Sequence, residues 1–526
     1  MDAKNMSNRG QIILVSAALL VALAAVACGA TLPTVTPTGL PAATPTPTQV
    51  PARFEAANCM FDTSSVSNQI DCGYLHVPED RAQVNSSLIK LAVAIVRSSN
   101  PHPAPDPVVY LQGGPGVDAL IYVASLIDPF SGVLANRDLI VFDQRGVGFS
   151  SPSLECPETN NQFFEDIGQN LSPEEAQQHG IQAIQACHDR LVQAGINLSA
   201  YTSAASAADV NDLRVALGYP EWNIYGGSYG TRLALTIMCD FPGGVHSVIL
   251  DSVWPPQVDE DAEAASGVER ALDLLFERCA ADAECNAAYP DLKTVFYDTV
   301  AQLDARPISI MPIRNQTRKV IKVLMNGDNM ISVILSMLYS TDALPYLPKV
   351  IYELHDGHAD RDAMFNAYWI SWTFSGDFGS EGMQLSVVCG DEVSFSSAQA
   401  IATANATVFS RLREAFDQGT FFSVCPTWDV KPAAAIENQP VVSDIPTLIL
   451  AGDNDPATPP AWGKLAAQTL SNSHYFEFPW AAHGVIYGVS PAASCAQSMM
   501  NAFVADPATA PDSTCINSLK VFFVTK

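Results

Sequence analysis

The chain has 526 residues, 48% of them hydrophobic, which is enough for one large domain with insertions or for two to three domains. It carries 27 Lys and Arg against 55 Asp and Glu, a net charge of −28, which argues against nucleic acid and anionic membrane surfaces as partners. Only 16% of residues are charged, so the acidity reflects scarce bases rather than an acidic tail.

Residues 1–27 read as an export signal. Lys4 and Arg9 precede an apolar run over 12–27 broken only by Ser16, and Ala25-Val26-Ala27 supplies small residues before a cut. The run is short for a membrane-spanning helix. Cys28-Gly29 follows at once and resembles a bacterial lipoprotein signal, with Ala25 where that pattern prefers leucine. The resemblance implies a lipid on Cys28; plain secretion and an uncleaved anchor are the other readings. Residues 28–52 form a tether: 13 of the 21 residues 31–51 are Thr or Pro and none is charged, a composition that stays extended and buries no core. The expectation is an exported protein, secreted or held at the cell surface, touching membrane only through its anchor.

From residue 53 the pattern alternates apolar strands and amphipathic helices. Strands are expected from Cys59, then over 88–97, 106–116, 137–150, 222–227 and 245–250. Helices are expected over 117–127, 173–194, 203–217 and 232–239. Such alternation predicts an α/β fold with a mainly parallel sheet and helices on both faces, functional groups lying at the carboxyl ends of the strands. The alternation stops over 254–436, where apolar stripes such as Val268, Leu272, Leu275 and Phe276 mark a large, mostly helical inserted cap. It resumes over 437–526, with strands at 445–451 and 474–478 and helices at 460–470 and 492–504. The core is thus expected in two parts, 53–253 and 437–526.

Twelve cysteines fit an oxidising compartment. Close spacing suggests the pairs Cys59–Cys72, Cys156–Cys187, Cys279–Cys285, Cys389–Cys425 and Cys495–Cys515, and leaves Cys239 as a buried free thiol. No Cys-x-x-Cys pair or histidine cluster supports a zinc site, so no metal and no cofactor is implied.

Gly-x-Ser-x-Gly over 226–230 joins a strand to a helix, a turn that strains the central residue and exposes the Ser228 hydroxyl. A serine needs a base, and the base an acid to hold its tautomer. His483 and Asp455 stand on loops after later strands, at the same expected sheet edge. Asp453 competes for the acid role, but it follows the strand glycine at once and is expected to cap the loop. The oxyanion hole is assigned to the backbone N–H groups of Tyr229 and Gly114, the latter on the glycine loop 113–116.

Four motifs stand in order: Gly113-Gly114-Pro115-Gly116, Asp143-Gln144-Arg145-Gly146, Gly226-Gly227-Ser228-Tyr229-Gly230-Thr231 and Gly452-x-x-Asp455-Pro456-x-Thr458-Pro459. Together they resemble the prolyl/tripeptidyl aminopeptidase family of α/β-hydrolases. The resemblance implies Ser228, Asp455 and His483 as a triad, Arg145 as a loop brace, and a peptide substrate cut near its N-terminus. Gln112 departs from the histidine many relatives carry there. A free α-amino group calls for a carboxylate partner; Asp391 and Glu392 are the candidates, with Asp377 nearby. A carboxylesterase or lipase would use the same machinery, and a non-catalytic binding protein would keep only the fold.

Overall fold

Among the described residues, nine strands form one sheet and two more form a separate hairpin. The computed structural model describes residues 51–525 except 315–319, 359–362, 374–378 and 416–418. The export signal, Cys28, most of the tether and Asp377 lie outside the described residues. In chain order the strands are β1 (Arg53–Ala57), β2 (Ile70–Pro78), β3 (Leu88–Val96), β4 (Val108–Leu111), β5 (Leu139–Phe142), β6 (Trp222–Gly227), β7 (Val245–Asp251), β8 (Ile308–Arg314), β9 (Val320–Met325), β10 (Thr447–Gly452) and β11 (Ser473–Phe478). The sheet order is β1-β2-β3-β5-β4-β6-β7-β10-β11. Strands β1, β2, β3 and β5 pair antiparallel, and every pair from β5 to β11 is parallel.

The central strands are continuous apolar runs buried along their length, as strands covered on both faces must be. Their alternate side chains enter two cores. Val108 and Tyr110 pack with Phe130, Met499 and Phe503 on one face. Val109 and Leu111 pack with Val210, Leu213, Leu233 and Ile237 on the other. Parallel neighbours need helical crossovers. The Ser203–Leu217 helix, started by Thr202 Oγ1 accepting from Ala205 N–H and ended by left-handed Gly218, leads into β6. The Tyr229–Asp240 helix joins β6 to β7, and the Pro460–Ala467 helix joins β10 to β11.

Between β7 and β10 the chain leaves the sheet. The Glu260–Ala281, Leu292–Ala305, Gly327–Leu338 and Leu347–His355 helices share an apolar core that includes Leu272, Phe276, Phe296, Ile334 and Trp369. Ala482, from the loop after β11, joins that core. No helix among the described residues is long and apolar enough to cross a membrane.

Several elements differ from the sequence reading. The sheet begins one strand earlier, at β1. Residues 117–127 form a 3₁₀ turn (Leu120–Tyr122) and one helical turn (Val123–Leu126), because Asp143 Oδ1 accepts from the N–H groups of Ala119 and Leu120 and fixes where the coil starts. The Pro157–Asp166 helix buries none of its residues and so carries no apolar stripe to read. The insertion contains the β8–β9 hairpin; the alternation of buried Val323 and Met325 with Lys322 was its signal.

The five disulfides Cys59–Cys72, Cys156–Cys187, Cys279–Cys285, Cys389–Cys425 and Cys495–Cys515 are formed. They mark a chain that folds in an oxidising compartment. Cys239 corrects the expectation of a free thiol: it is disulfide-bonded, and no described cysteine is free. It stands near the end of the Tyr229–Asp240 helix, partly buried against the apolar core on that face of the sheet.

Candidate active site

The carboxyl ends of β4, β6, β7, β10 and β11 lie at one edge because these strands are parallel. Those of β4, β6, β10 and β11 carry the loops singled out in the sequence. At the end of β6 the chain turns through Ser228, with φ 56° and ψ −128°, before the Tyr229–Asp240 helix begins. A non-glycine residue held there costs about 1–3 kcal/mol, which the surrounding contacts must offset. Ser228 N–H donates to Asp251 O at 3.0 Å, and Ser228 O accepts from Thr231 N–H at 2.8 Å and Thr231 Oγ1 at 2.6 Å. Glycine is required on both sides of the turn. A Cβ on Gly226 would stand 2.3 Å from Gly230 O, and one on Gly230 would stand 2.1 Å from Leu111 O.

The 113–116 loop follows β4 and faces the serine: a Cβ on Gly113 would meet Ser228 Cβ at 2.9 Å and Oγ at 3.4 Å. Gly114 has φ +113°, open to glycine alone. Tyr229 opens its helix, so its N–H is among the groups left without an intrahelical partner. Gln112 is tied into this edge. Its Oε1 accepts from Tyr110 Oη at 2.6 Å, and its main-chain O from Gln144 Nε2 at 3.0 Å.

His483 Nδ1 lies 3.0 and 2.9 Å from the two oxygens of Asp455. Asp455 is fully buried and also accepts from the N–H groups of Ala457 and Thr458, both at 2.9 Å, and from Thr458 Oγ1 at 2.7 Å. Burial pushes this carboxyl up, but the charge and hydrogen bond of His483 with the Thr458 donors outweigh it, and Asp455 stays below the ordinary carboxylate range. An ionised carboxylate only accepts, so Nδ1 carries the hydrogen and Nε2 its lone pair. Burial pushes the His483 imidazole down; the Asp455 charge and hydrogen bond, with the charge of Asp251, more than reverse that and raise it. The Tyr339 ring, from the insertion, stands edge-on to the imidazole at 4.9 Å.

Asp453 is placed elsewhere. Its Oδ1 accepts from Trp480 N–H at 2.9 Å and its carboxylate pairs with Arg278. Arg270, two turns earlier on the same helix, donates to the main-chain oxygens of Asp453 and Asp455. Arg145 is wholly buried, forked onto both oxygens of Asp209 at 2.8 Å and onto Glu79 O, a brace between loops. Asp391 and Glu392 are buried rather than exposed. Asp391 Oδ2 accepts from Ser203 N–H at 2.8 Å, and Glu392 pairs with Arg232 at 2.7 Å. Ser203 Oγ in turn meets Tyr229 Oη at 2.9 Å, so both acids sit behind the helix that follows Ser228. Glu260, half-buried at the start of its helix, adds to the acidity there; burial and its neighbours Asp261 and Asp259 push it up to about 8. Trp369 belongs to the core of the insertion.

Sequence reading quoted Thr458 in a motif without giving it a role, and passed over Arg232, Arg270 and Arg278 as site residues. Thr458 had one signal, its place three residues after Asp455. The arginines had none, since their partners come from distant segments.

Residues 106–297 match the family described as alpha/beta hydrolase fold, and residues 414–515 the family described as TAP-like protein. The serine protease Hip1 of Mycobacterium tuberculosis is 24% identical over 463 residues, 84% of this chain and 86% of that protein. The tripeptidyl aminopeptidase of Streptomyces lividans is 31% identical over 201 residues, 36% of each. A probable proline iminopeptidase of Streptomyces coelicolor is 27% identical over 183 residues, 35% of this chain and 43% of that one. The chain is an α/β-hydrolase serine peptidase with a TAP-like C-terminal region.

Proposed function

We propose that this chain is an exported aminopeptidase that cuts peptides near their N-terminus through an acyl-enzyme on Ser228. The observation that carries the reading is the His483–Asp455 contact at the edge where Ser228 stands in strained geometry. In this reading His483 Nε2 takes the Ser228 proton as Oγ attacks the scissile carbonyl, then gives it to the leaving amine as the C–N bond breaks. Water, deprotonated by the same nitrogen, attacks the ester and restores Ser228. Asp455 holds the tautomer and faces the imidazolium. The N–H groups of Tyr229 and Gly114 receive the charge that develops on the carbonyl oxygen. These steps call for no metal or cofactor.

The insertion over 254–436 acts as a cap and supplies the preference for a free amine. Burial and the neighbouring acids Asp391, Glu260 and Asp261 push the Glu392 carboxyl up against the opposing charge of Arg232, a cluster whose ionised form a protonated α-amine favours. Asp391 and Glu392 keep their pairings with Ser203 and Arg232, and Glu260 reaches the amine. Residues 1–27 direct export.

A fluorophosphonate probe is expected to label Ser228, and aminoacyl or tripeptidyl chromogenic amides to turn over while their N-acetylated forms do not. Glu260→Gln is expected to raise KM for free-amine substrates about tenfold, near 1.4 kcal/mol of binding. Hydrolysis of short-chain esters alone would move the chain to the carboxylesterases. Failure to label Ser228 would leave a binding protein on this fold.

A further inference from the structure

The loop after His483 is held by one short stretch of sheet. Three consecutive backbone N–H groups end on two adjacent residues at the end of β7: Gly484 donates to Ser252 Oγ at 2.8 Å, Val485 to Asp251 Oδ1 at 2.8 Å and Ile486 to Asp251 Oδ2 at 3.2 Å. Tyr225 Oη adds a further donor to Asp251 Oδ2 at 2.8 Å. The main-chain oxygen of the same Asp251 accepts the Ser228 N–H at 3.0 Å. One residue therefore grips the serine turn with its backbone and the histidine loop with its side chain. Both Asp251 and Ser252 are completely buried, and Ser252 is held at φ 62°, a left-handed conformation unusual for serine. Strain of that kind persists only where the surroundings fix it, and here it turns Oγ towards the histidine loop.

We propose that Asp251 is a positioning residue for catalysis, setting where His483 stands relative to Ser228. The proposal rests on the reading that Ser228 and His483 react. A carboxylate fits the task because it only accepts, and its two oxygens match two successive N–H groups. An amide in its place would turn an NH₂ towards one of those donors. The titratable groups around it are His483, Tyr225, Tyr110 and Tyr487. Tyr110 Oη meets Tyr487 Oη at 2.9 Å and also donates to Gln112, so the same network touches the glycine loop. The three anchors of the reaction thereby share one buried support.

The test is steady-state kinetics of the full chain on a chromogenic peptide amide, with pH profiles. Asp251→Asn is expected to lower kcat by about 10²-fold, the scale of an ångström of misplacement, with KM within about twofold. The acid limb of kcat is expected to move to lower pH, because a negative charge that raises His483 is gone. Ser252→Ala, which removes one bond and leaves the charge, is expected to lower kcat about fivefold on the same scale without moving the limb. A folded Asp251→Asn with kcat within twofold and an unmoved limb overturns the proposal. If Asp251→Asn does not fold, an unchanged kcat in Ser252→Ala overturns it instead. Ser228→Ala separates the two levels: turnover surviving that change sinks the reading of the reacting serine, whatever Asp251 does.

Discussion

The sheet edge and the insertion handle buried carboxylates in opposite ways. At the edge, three buried acids are saturated with donors that come largely from the backbone. Asp143 takes the N–H groups of Ala119, Leu120 and Phe149, Asp251 takes two N–H groups and a phenol, and Asp455 takes two N–H groups, a hydroxyl and an imidazole. In the insertion, Glu392 and Asp261 have no such main-chain donors among the described residues. Glu392 has Arg232, while Asp261 is buried with both oxygens lacking a hydrogen bond among the described residues. A carboxylate held by several main-chain donors has one position. One left among like charges stays responsive to a cation that arrives. The first arrangement suits a group that must not move during a reaction, and the second suits a surface that reads a substrate.

The contrast breaks most visibly at its two ends. Asp455→Asn removes the acceptor that fixes the His483 tautomer, and kcat on a peptide amide is expected to fall by about 10⁴-fold, as for other triads. The folded state is expected to survive, because the amide oxygen still accepts from Ala457 and Thr458. A loss below about tenfold would show that some other group orients the imidazole. Arg232→Ala acts the other way. It strands Glu392 in a buried setting and is expected to cost roughly 3–5 kcal/mol of stability, read by denaturant unfolding. If Arg232→Ala and Glu392→Gln together are as unstable as Arg232→Ala alone, the pair is not what the arginine serves.

Much of the sheet edge was legible because its information is local. Strand periodicity, the glycines around Ser228 and the spacing from Asp455 to Thr458 each lie within a dozen residues. The order of Ser228, Asp455 and His483 along the chain then places them at one edge, since parallel strands put every following loop on the same side. What escaped was set by contacts between distant segments. Arg270 and Arg278 read as ordinary charges on an amphipathic helix until the loop at 453–455 lies under them. Asp391 and Glu392 read as carboxylates available to a substrate amine, yet Arg232, about 160 positions away, takes them inside. Asp251 closes a strand that was legible, but nothing near it in sequence announces the loop it holds. The β8–β9 hairpin had the alternation of a strand pair and was masked by the helical stripes around it.

The smallest expected effect tests the insertion's side of the contrast by pH. Burial and the neighbouring acids push Glu260 up to about 8 and Asp261 up to about 7 in the folded chain. An unfolded carboxylate titrates near 4. The folded state therefore binds these protons more tightly than the unfolded state. The stability they contribute is fully present below about pH 4 and is lost as pH rises through 7 and 8. Asp455, held below its ordinary value, has the opposite sign: its contribution is present above about pH 4 and is lost only in acid. The expectation is a lower Tm at pH 8 than at pH 5.5, and a gap that narrows by about 2 °C in a Glu260→Gln, Asp261→Asn double variant. Narrowing must come from a rise at pH 8, since at pH 5.5 the native acids are already neutral. If both Tm values fall together in the double variant, the carboxyls are serving as packed side chains, and the difference between edge and insertion is one of geometry rather than of charge.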